Sequence, residues 1–368
     1  MKYRLRVPGL TLTAALLAAG CGLAPEEPDA TGEARGAIGG GEIDDADRAV
    51  VGILALFEGV GRAVCTGSLI APNVVLTARH CVARLENDVN GGVVCDATTF
   101  AAPEPSSRFF VTTDTEMTDD PARYRRVREV MVPPGDPHVC GNDQAILILD
   151  HLVPPEEATP LVPRVDEPLA AGEASYRAVG YGATDDAGAG SGTRRRRDDL
   201  VITCVAEECP AWRVMPTEWQ GDQGICQGDS GGASLDRLDR VIGVTSRGIS
   251  GCDGPVYGYV YARAAWIKDA ALRGAELGGY EPPAWAHGAP TDPACAACPD
   301  GFLCEGEPSA CVDPSVLEAD AGVDVDGGDP GGAQCSTGLS SPHPTTPIPW
   351  LAGAGIGLAA LIRRRRTR

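Results

Sequence analysis

The stretch Cys226–Ala233, CQGDSGGA, sets one serine, Ser230, among three glycines, an aspartate and a cysteine. Glycine accepts backbone conformations and close approaches that other residues resist, so such a cluster suits the aiming of backbone amides at a reacting group. A tight surface turn would have the same composition. A chemical role for Ser230 therefore requires a base and an orienting acid elsewhere in the chain.

A histidine and an aspartate stand upstream of this serine. LTARHCV supplies His80, and GNDQAILIL supplies Asp143 at the start of an apolar run. A hydroxyl is a weak nucleophile at neutral pH and needs an imidazole to take its proton, and the imidazole needs a buried carboxylate to hold its tautomer. Taken singly, a histidine beside a cysteine is more often structural, and an aspartate before a strand is usually a turn residue. The three together indicate nucleophilic catalysis.

The segments that carry these residues have the pattern of short strands. From Ile38 to about Leu272, apolar and β-branched runs alternate with clusters of Gly, Pro, Asn and Asp, which indicates an all-β domain. RAVCTGSLIAPNVVLTARHCV illustrates it, with two strand-like runs on either side of Pro72 and Asn73. AAWIKDAAL, from Ala264, has the composition and apolar spacing of a helix that closes the domain.

In this order, the motifs resemble those of the trypsin-like (chymotrypsin-fold) serine peptidases over residues 38–272. IGGG at Ile38 resembles the mature N-terminus of that family, VCTGSLI with LTARHC its first disulfide and histidine motif, and NDQAIL its aspartate motif. GYG at Gly180 is a family landmark, and CQGDSGG resembles the nucleophile motif. The resemblance implies two antiparallel six-stranded β-barrels packed side by side, with the catalytic residues in the cleft between them and a short C-terminal helix.

Roles follow from the resemblance position by position. Ser230 would be the nucleophile, His80 the general base and then the general acid, and Asp143 the orienting carboxylate. The amides of Gly228 and Ser230 would form the oxyanion hole, where loss of one donor typically costs about 3 kcal/mol of transition-state stabilisation.

Activation by proteolysis is part of the same resemblance. The free amine of Ile38, released by an activating peptidase, would pair with Asp229 and order the oxyanion hole. Because the residue before that cut is Ala37, with Arg35 nearby, cleavage before Ile38 and cleavage at Arg35 followed by trimming both stay open.

The cleft is expected to take protein or peptide substrates and to need no metal or other cofactor. The position that reads basic side chains in trypsins, six before the serine, is Gly224, so no buried carboxylate awaits lysine or arginine. We therefore expect a small or medium apolar residue before the cleaved bond, at P1. Ser246 matches the family serine that touches the catalytic aspartate, and the backbone after it would pair with extended substrate. The expected substrate-binding residues are Gly224, Ile225, Ser246, Arg247, Gly248 and Pro255.

Both ends of the chain carry sorting features. The start, MKYRLRVPGLTLTAALLAAGC, has the layout of a secretory signal with a lipoprotein-type end, at which Cys21 would be acylated. From Cys335, a Ser/Pro/Thr spacer, a short apolar run and RRRR resemble the MYXO-CTERM class of bacterial sorting tails. These signals imply export and retention at the bacterial cell envelope through a lipid anchor and sorting machinery. A signal cut elsewhere and a plain C-terminal membrane anchor are the alternatives.

Cysteine usage agrees with export. Twelve of the 14 cysteines remain once Cys21 and Cys335 are set aside, an even number that suits six disulfides. The spacing lacks the paired CxxC units of a zinc finger, which argues against a structural metal. The resemblance implies two disulfides, Cys65–Cys81 and Cys226–Cys252. For the remaining cysteines of the barrels we expect Cys95–Cys140 and Cys204–Cys209, and other pairings of these four stay open.

Charge and composition complete the outline. The formal net charge of −20 and the lack of a basic, aromatic stripe disfavour nucleic acid as a partner. Four cysteines near the end form a small Cys-rich module whose pairing stays open, and a flexible tail follows. The expected segments are a signal peptide at 1–21, a propeptide or linker at 22–37, the peptidase domain at 38–272, a linker at 273–294, the Cys-rich knot at 295–311, an acidic spacer at 312–334 and the sorting segment at 335–368.

Two arginine features adjoin the motifs. Arg79, directly before the histidine, is expected to face outward. The run RRRR at 194–197 is followed by two aspartates and a strand-like segment, which favours a solvated strand edge over an autolysis or processing site.

A rival hypothesis keeps the fold but drops the chemistry. In that case the chain would be a catalytically silent peptidase homologue that acts as a surface binding or adhesion protein. Because His80, Asp143 and Ser230 all stand in their motifs beside the oxyanion glycine, the sequence favours a serine endopeptidase.

Overall fold

The computed structural model describes most of the chain between residues 41 and 312, namely 41–59, 61–89, 92–169, 175–184, 188–225, 227–249, 253–298, 303–305 and 309–312. Cys21, Ile38, Cys335 and the pair Cys226–Cys252 lie outside these residues. The strands, numbered in chain order, are β1 Glu42–Ile43, β2 Val50–Phe57, β3 Gly61–Ala71, β4 Val74–Thr77, β5 Ala83–Glu86, β6 Thr99–Pro103, β7 Phe109–Thr112, β8 Arg125–Met131, β9 Ala145–Leu149, β10 Ser175–Gly180, β11 Arg195–Val205, β12 Glu218–Gly221, β13 Ala233–Leu235, β14 Val241–Ile249, β15 Asp253–Tyr259, β16 Leu303–Glu305 and β17 Ala310–Val312.

Six strands close into a first antiparallel barrel, in the order β2-β3-β4-β9-β8-β7. Every residue of β4 and of β9 is buried, since both faces of these strands are covered. Such strands appear in the sequence as unbroken apolar runs, VVLT and AILIL, without polar alternation. The pair therefore forms a rigid support directly before the candidate histidine and directly after the candidate aspartate.

A second barrel has the strand order β11-β10-β13-β14-β15-β12, and it closes because β12 pairs back onto β11. The short strand β1 adds to the outer edge of β11. Aromatic rings fill the interior: Trp219 stacks on Tyr257 with ring centroids 4.1 Å apart, and Tyr176 meets Trp219 edge-on at 5.0 Å. The predicted fold of two six-stranded antiparallel barrels is confirmed.

A helix, α1, runs from Ala264 to Gly278 and packs on the first barrel. Its buried residues fall on one face, as the spacing in the sequence predicts: Ile267, Ala270, Ala271, Gly274 and Ala275. The approach is close, since a Cβ on Gly274 would lie 2.2 Å from the Val74 Cγ2 atom. Gly279 ends the helix in the left-handed conformation, with φ of 68°.

The fold continues beyond Leu272, which lies inside α1. Further on, Trp285 is only 6% exposed and belongs to the same core as the first barrel. The Thr291 N–H donates to Asp166 at 2.6 Å, and the Thr291 hydroxyl accepts from Arg240 at 3.2 Å. A boundary drawn where apolar periodicity ends falls too early here, because one large side chain and a buried polar cluster hold the following segment.

Disulfides join Cys65 to Cys81, Cys95 to Cys140 and Cys204 to Cys209 in the barrels. In the Cys-rich module, a short helix, α2 at Pro293–Ala296, lies against the hairpin of β16 and β17. Two further disulfides staple this module, Cys295–Cys304 and Cys298–Cys311. No helix in the described part of the chain is long and apolar enough to cross a membrane.

Two arginines differ from the sequence-based expectation. Arg79 is 7% exposed, with its guanidinium 4.6 Å from the centroid of the Phe100 ring, so the outward orientation is wrong. Arg194 is fully buried and donates to the backbone carbonyls of Asp44, Val50 and Thr113. A guanidinium can be buried when an aromatic face or converging carbonyls replace water, and local charge patterning does not reveal such partners.

Candidate active site

The candidate histidine and aspartate meet at one end of the first barrel. His80 lies in the 3₁₀ turn Arg79–Cys81 that follows β4, and Asp143 lies two residues before β9. The His80 Nδ1 atom is 2.8 Å from Asp143 Oδ2, and the His80 backbone N–H donates to Asp143 Oδ1 at 2.9 Å. The carboxylate therefore holds both the ring and the backbone of the histidine, and it leaves Nε2 of the ring for chemistry.

A third group completes the surroundings of the aspartate. The Ser246 hydroxyl, on β14 of the second barrel, donates to Asp143 Oδ2 at 2.6 Å. Burial alone would raise the pKa of Asp143, but the charge and hydrogen bonds of His80 and the hydrogen bond of Ser246 hold it below its ordinary value. Asp143 is 3% exposed and remains a carboxylate at neutral pH.

Opposing effects act on the pKa of the histidine. Burial disfavours its charged form, yet the charge and hydrogen bond of Asp143 outweigh burial and raise the pKa of His80 above its ordinary value. The Arg247 cation acts in the opposite sense and lowers it. With 22% of its side chain exposed, the imidazole is open to solvent on one side and suits transfer of a proton.

The turn that carries Ser230 belongs to the second barrel but is held by the first. The Ser230 carbonyl accepts from the Thr66 N–H of β3 at 2.8 Å, and the Cys81 sulfur lies 3.5 Å from the same oxygen. Gly231 has φ of +82°, and a Cβ there would lie 2.1 Å from Thr77 Oγ1, so the turn needs glycine.

Ser230 thus lies beside the histidine turn without bonding to the imidazole. Within the described residues, no hydrogen bond links the Ser230 hydroxyl to His80. In unliganded sites this contact is often long and shortens when substrate binds.

The backbone at Gly228 has a defined orientation. The Gln227 carbonyl accepts from the Ala183 N–H at 2.7 Å, so the Gly228 N–H, on the opposite side of the same trans peptide, points away from Ala183. Gly228 has φ of +97°, and a Cβ there would lie 2.9 Å from the Gly182 Cα atom. A glycine is therefore required where the resemblance implies an oxyanion-hole donor.

Asp229 lies in the space left by the GYG landmark. Its carboxylate is 1% exposed and accepts from the Gly182 N–H at 2.7 Å. A Cβ on Gly180 would lie 2.3 Å from Asp229 Oδ1, and one on Gly182 would lie 2.4 Å from Asp229 Cγ. The two glycines make room for a buried carboxylate. Its expected partner, the amine of Ile38, is outside the described residues.

The expected pocket positions carry no charge. Ile225 is 5% exposed in the aromatic core of the second barrel, and Pro255 is buried. Gly224 has φ of +108°, and a Cβ there would lie 3.2 Å from Leu200 and 3.6 Å from Cδ of Arg197.

Arg247 and Gly248 follow Ser246 on β14 and border a cavity of about 610 Å³. Arg247 is partly buried and Gly248 is exposed. The other residues that line the cavity are Gly92, Val93, Val94, Cys95, Asp96, Ala211, Trp212, Arg213, Met215 and Val256.

One group of side chains in the described part of the chain has the spacing of metal ligands. Among the described residues, Cys65, His80 and Cys81 form the one cluster of metal-ligand type with suitable spacing. Cys65 and Cys81 are joined in a disulfide, which leaves no thiolate to bind an ion.

Thr66 is a residue of the site that sequence reasoning missed. Besides its N–H bond to Ser230, its hydroxyl donates to the Gly228 carbonyl at 2.9 Å and accepts from the Tyr181 N–H at 2.9 Å. Thr66 is fully buried. The residue lies in the VCTGSLI motif, where the resemblance points to the cysteine. No local feature of that motif indicates the contact between Thr66 and Gly228.

Thr66→Val should therefore lower kcat without changing KM. The isosteric methyl leaves the Gly228 carbonyl and the Tyr181 N–H without their partner, which should lower the stability of the fold by about 1–3 kcal/mol. Because the Gly228 peptide is then held less firmly where an oxyanion donor is expected, we also expect kcat to fall by roughly tenfold. Steady-state kinetics on a short ester substrate measure the effect. Thr112→Val, at a buried threonine of β7, is the control, and an equal loss in that variant would show a general effect on the barrel instead.

Comparisons of sequence and of structure find known proteins that are similar to this chain. A sequence model of the trypsin family matches residues 37–270. A protein described as trypsin from Saccharopolyspora erythraea is 28% identical over 223 residues, which cover 59% of this chain and 88% of the relative. Human heparin binding protein superposes with a TM-score of 0.48 at 18% identity, over 64% of this chain and 96% of that one. The scabies mite inactivated protease paralogue S-I1 does so with a TM-score of 0.47 at 18% identity, over 63% and 99%.

The family match extends over more than half of the chain and includes both barrels. His80, Asp143, Ser230 and the residues that position them all lie within it. This chain therefore belongs to the trypsin family.

Proposed function

We propose that this chain is a serine endopeptidase that cleaves peptide bonds through an acyl-enzyme. The observation that carries the proposal is the bonded set His80, Asp143 and Ser246, with the Ser230 turn held beside it by Thr66. An imidazole of raised pKa, fixed by a buried carboxylate, is a suitable base for a neighbouring hydroxyl.

The steps follow from these groups. The Ser230 oxygen attacks the substrate carbonyl carbon while His80 takes the hydroxyl proton, and the resulting oxyanion is bound by the N–H groups of Gly228 and Ser230. His80 then gives that proton to the leaving amine, which yields the acyl-enzyme. Water, deprotonated by His80, attacks the acyl carbon and regenerates the Ser230 hydroxyl as the carboxylic acid leaves.

Covalent labelling tests the proposal. Purified protein is treated with a fluorophosphonate probe before and after limited proteolysis, and mass spectrometry identifies the labelled residue and the new N-terminus. Labelling at Ser230 supports the endopeptidase. Folded, correctly cut protein that stays unlabelled would instead favour the silent homologue that acts as a surface binding or adhesion protein.

Synthesis as a zymogen is a further part of the proposal. The buried Asp229 carboxylate, placed between Gly180 and Gly182, supports pairing with the amine of Ile38 once an activating peptidase has cut before it. Labelling that appears only in molecules whose N-terminus is Ile38 agrees with this switch, and equal labelling of uncut protein contradicts it.

The proposed preference at P1 is a small or medium apolar side chain. The uncharged positions Gly224, Ile225 and Pro255 support it, since no carboxylate at any of them could pair with lysine or arginine. Peptides that differ only at P1, with Ala, Val, Leu, Lys and Arg, are compared by kcat/KM. Fastest cleavage after Lys or Arg contradicts the assignment.

The proposed location is the bacterial cell envelope, reached by export. The signal-like start, Cys21 and the Cys335 tail support this location on sequence alone. Because no cysteine lies between residues 22 and 37, cleavage before Ile38 would separate the catalytic domain from a lipid on Cys21. Metabolic labelling with a lipid precursor before and after activation tests this, and label that persists on the active domain refutes the separation.

A further inference from the structure

An ion pair of the second barrel lies unusually close to the catalytic aspartate. Glu218, the first residue of β12, is 1% exposed, and Arg247 lies on β14 directly after Ser246. Their contact is bidentate, with Nη1 to Oε1 at 2.5 Å and Nη2 to Oε2 at 2.8 Å. Such planar pairing fixes both side chains in one orientation.

The carboxylate of this pair holds the loop that carries Asp143. Glu218 Oε1 accepts from the Gly141 N–H at 2.6 Å, and Oε2 accepts from the Met215 N–H at 2.9 Å. The Gly141 carbonyl is in turn bonded by the Thr217 hydroxyl at 2.7 Å. Gly141, two residues before Asp143, is therefore fixed through both its N–H and its C=O.

The guanidinium of the pair is linked to Asp143 through Ser246. Arg247 Nη1 lies 3.4 Å from the Ser246 hydroxyl, which itself donates to Asp143. Arg247 Nη2 also donates to the Arg213 carbonyl at 2.8 Å. The guanidinium therefore has a second anchor in addition to Glu218.

We propose that Glu218 and Arg247 act as one positioning unit for the catalytic residues, in which Glu218 fixes the loop before Asp143, Arg247 supports the Ser246 hydroxyl that bonds Asp143, and the Glu218 charge offsets part of the Arg247 charge near His80. Neither residue is expected to touch the reacting atoms. The inference rests on the proposed peptidase function for its kinetic consequences, but its electrostatic part concerns His80 alone.

The charges near His80 determine the direction in which each substitution should shift the pKa of His80. They come from Asp143 before β9, from Arg247 with Glu218 behind it, and from Arg79 in the histidine's own turn, whose charge interacts with Asp143 and Asp136. Removing the Arg247 cation favours imidazolium and raises the pKa of His80. Removing the Glu218 carboxylate leaves Arg247 uncompensated and lowers it.

The experiment measures the pKa of His80 in the activated full chain by NMR titration of its ring protons, in a Ser230→Ala background that prevents self-digestion. Glu218→Gln should shift the titration to lower pH, Arg247→Gln should shift it to higher pH, and the double variant should return it close to the parent. In chains that retain Ser230, each single change should lower kcat about tenfold on a short ester substrate. The acid limb of the kcat/KM profile should move with the titration, because only neutral imidazole accepts the Ser230 proton.

A bidentate pair on the first barrel supplies the matched control. Arg125 and Glu157 contact each other through Nη1 to Oε1 and Nη2 to Oε2 but have no contact with the catalytic residues. Arg125→Gln and Glu157→Gln should leave the His80 titration unchanged. If Arg247→Gln does not fold, Arg247→Lys replaces it, and this variant should keep the parental pKa of His80 while it loses kcat.

Shifts of the same sign in both single variants, or no shift in either, overturn the inference and leave the pair a merely structural role. Shifts of equal size in the control pair overturn it as well. Because the titration needs no turnover, opposite shifts would support the positioning unit even if the activated parent that retains Ser230 is not labelled by fluorophosphonate and the proposed endopeptidase function fails.

Discussion

Ser230→Ala should lower kcat for peptide hydrolysis about a millionfold and abolish fluorophosphonate labelling. The substitution removes the oxygen that forms the acyl bond, and His80 has no other hydroxyl to activate at that place. Losses of this size are typical when the nucleophile of a Ser-His-Asp set is removed, and the remaining rate comes from substrate binding and the oxyanion hole. Burst kinetics and intact-mass measurement on the activated protein check the result.

Ser234→Ala is a close control for that variant. Ser234 lies four residues further on, in β13, and its buried hydroxyl has no hydrogen-bond partner among the residues that the structure describes. Its removal should leave kcat unchanged and cost little or no stability. Labelling that survives in Ser230→Ala at another residue would contradict the assignment of the nucleophile.

Asp143→Asn should lower kcat about ten-thousandfold while KM changes little. An asparagine oxygen can still accept one of the two N–H groups of His80, but the amide donor would then face the ring nitrogen and stabilise the wrong tautomer. In that tautomer the nitrogen nearest the substrate carries a proton and cannot act as the base, which accounts for a loss of this order. Steady-state kinetics near neutral pH measure it.

A surface pair of the same composition tests whether the loss is specific. Asp136 accepts from the His138 backbone N–H at 2.9 Å, and its carboxylate also lies 2.6 Å from His138 Nδ1. Both side chains are largely exposed. Asp136→Asn should leave kcat within about twofold of the parent, since exposed pairs contribute little. A comparable loss in the two variants would disprove the special role of Asp143.

The fold and the bonded part of the site could be predicted because they rest on short local patterns. The run AILIL, with Asp143 two residues before it, reflects a strand buried on both faces. Glycines at Gly228 and Gly231 reflect positive φ angles, and a side chain at either position would meet other backbone or side-chain atoms. Patterns of this kind are set within a few residues, so one sequence is enough to show them.

Contacts between distant segments could not be predicted in the same way. Thr66 and Gly228 are 162 residues apart, and Glu218 and Gly141 are 77 apart. The sequence does not distinguish a buried glutamate or arginine from an exposed one. Neither the Glu218–Arg247 pair nor the burial of Arg194 could therefore be predicted from the charges of neighbouring residues. The segment after Leu272 likewise depends on where Trp285 packs, which only the tertiary fold decides.

The Ser230 turn is held by bonds within the second barrel, such as Gly231 N–H to the Thr245 carbonyl, and by bonds from Thr66 of the first barrel. His80 and Asp143 come from the first barrel, whereas Ser230 and Ser246 come from the second, and Thr66 joins them across the cleft. The six strands of the first barrel all precede Ser230 in the chain, so the candidate base and acid are synthesised before the candidate nucleophile. In the proposed peptidase, docking of the second barrel on the first is therefore a precondition for hydrolysis, and the cut before Ile38 would act on a molecule whose two barrels have already met.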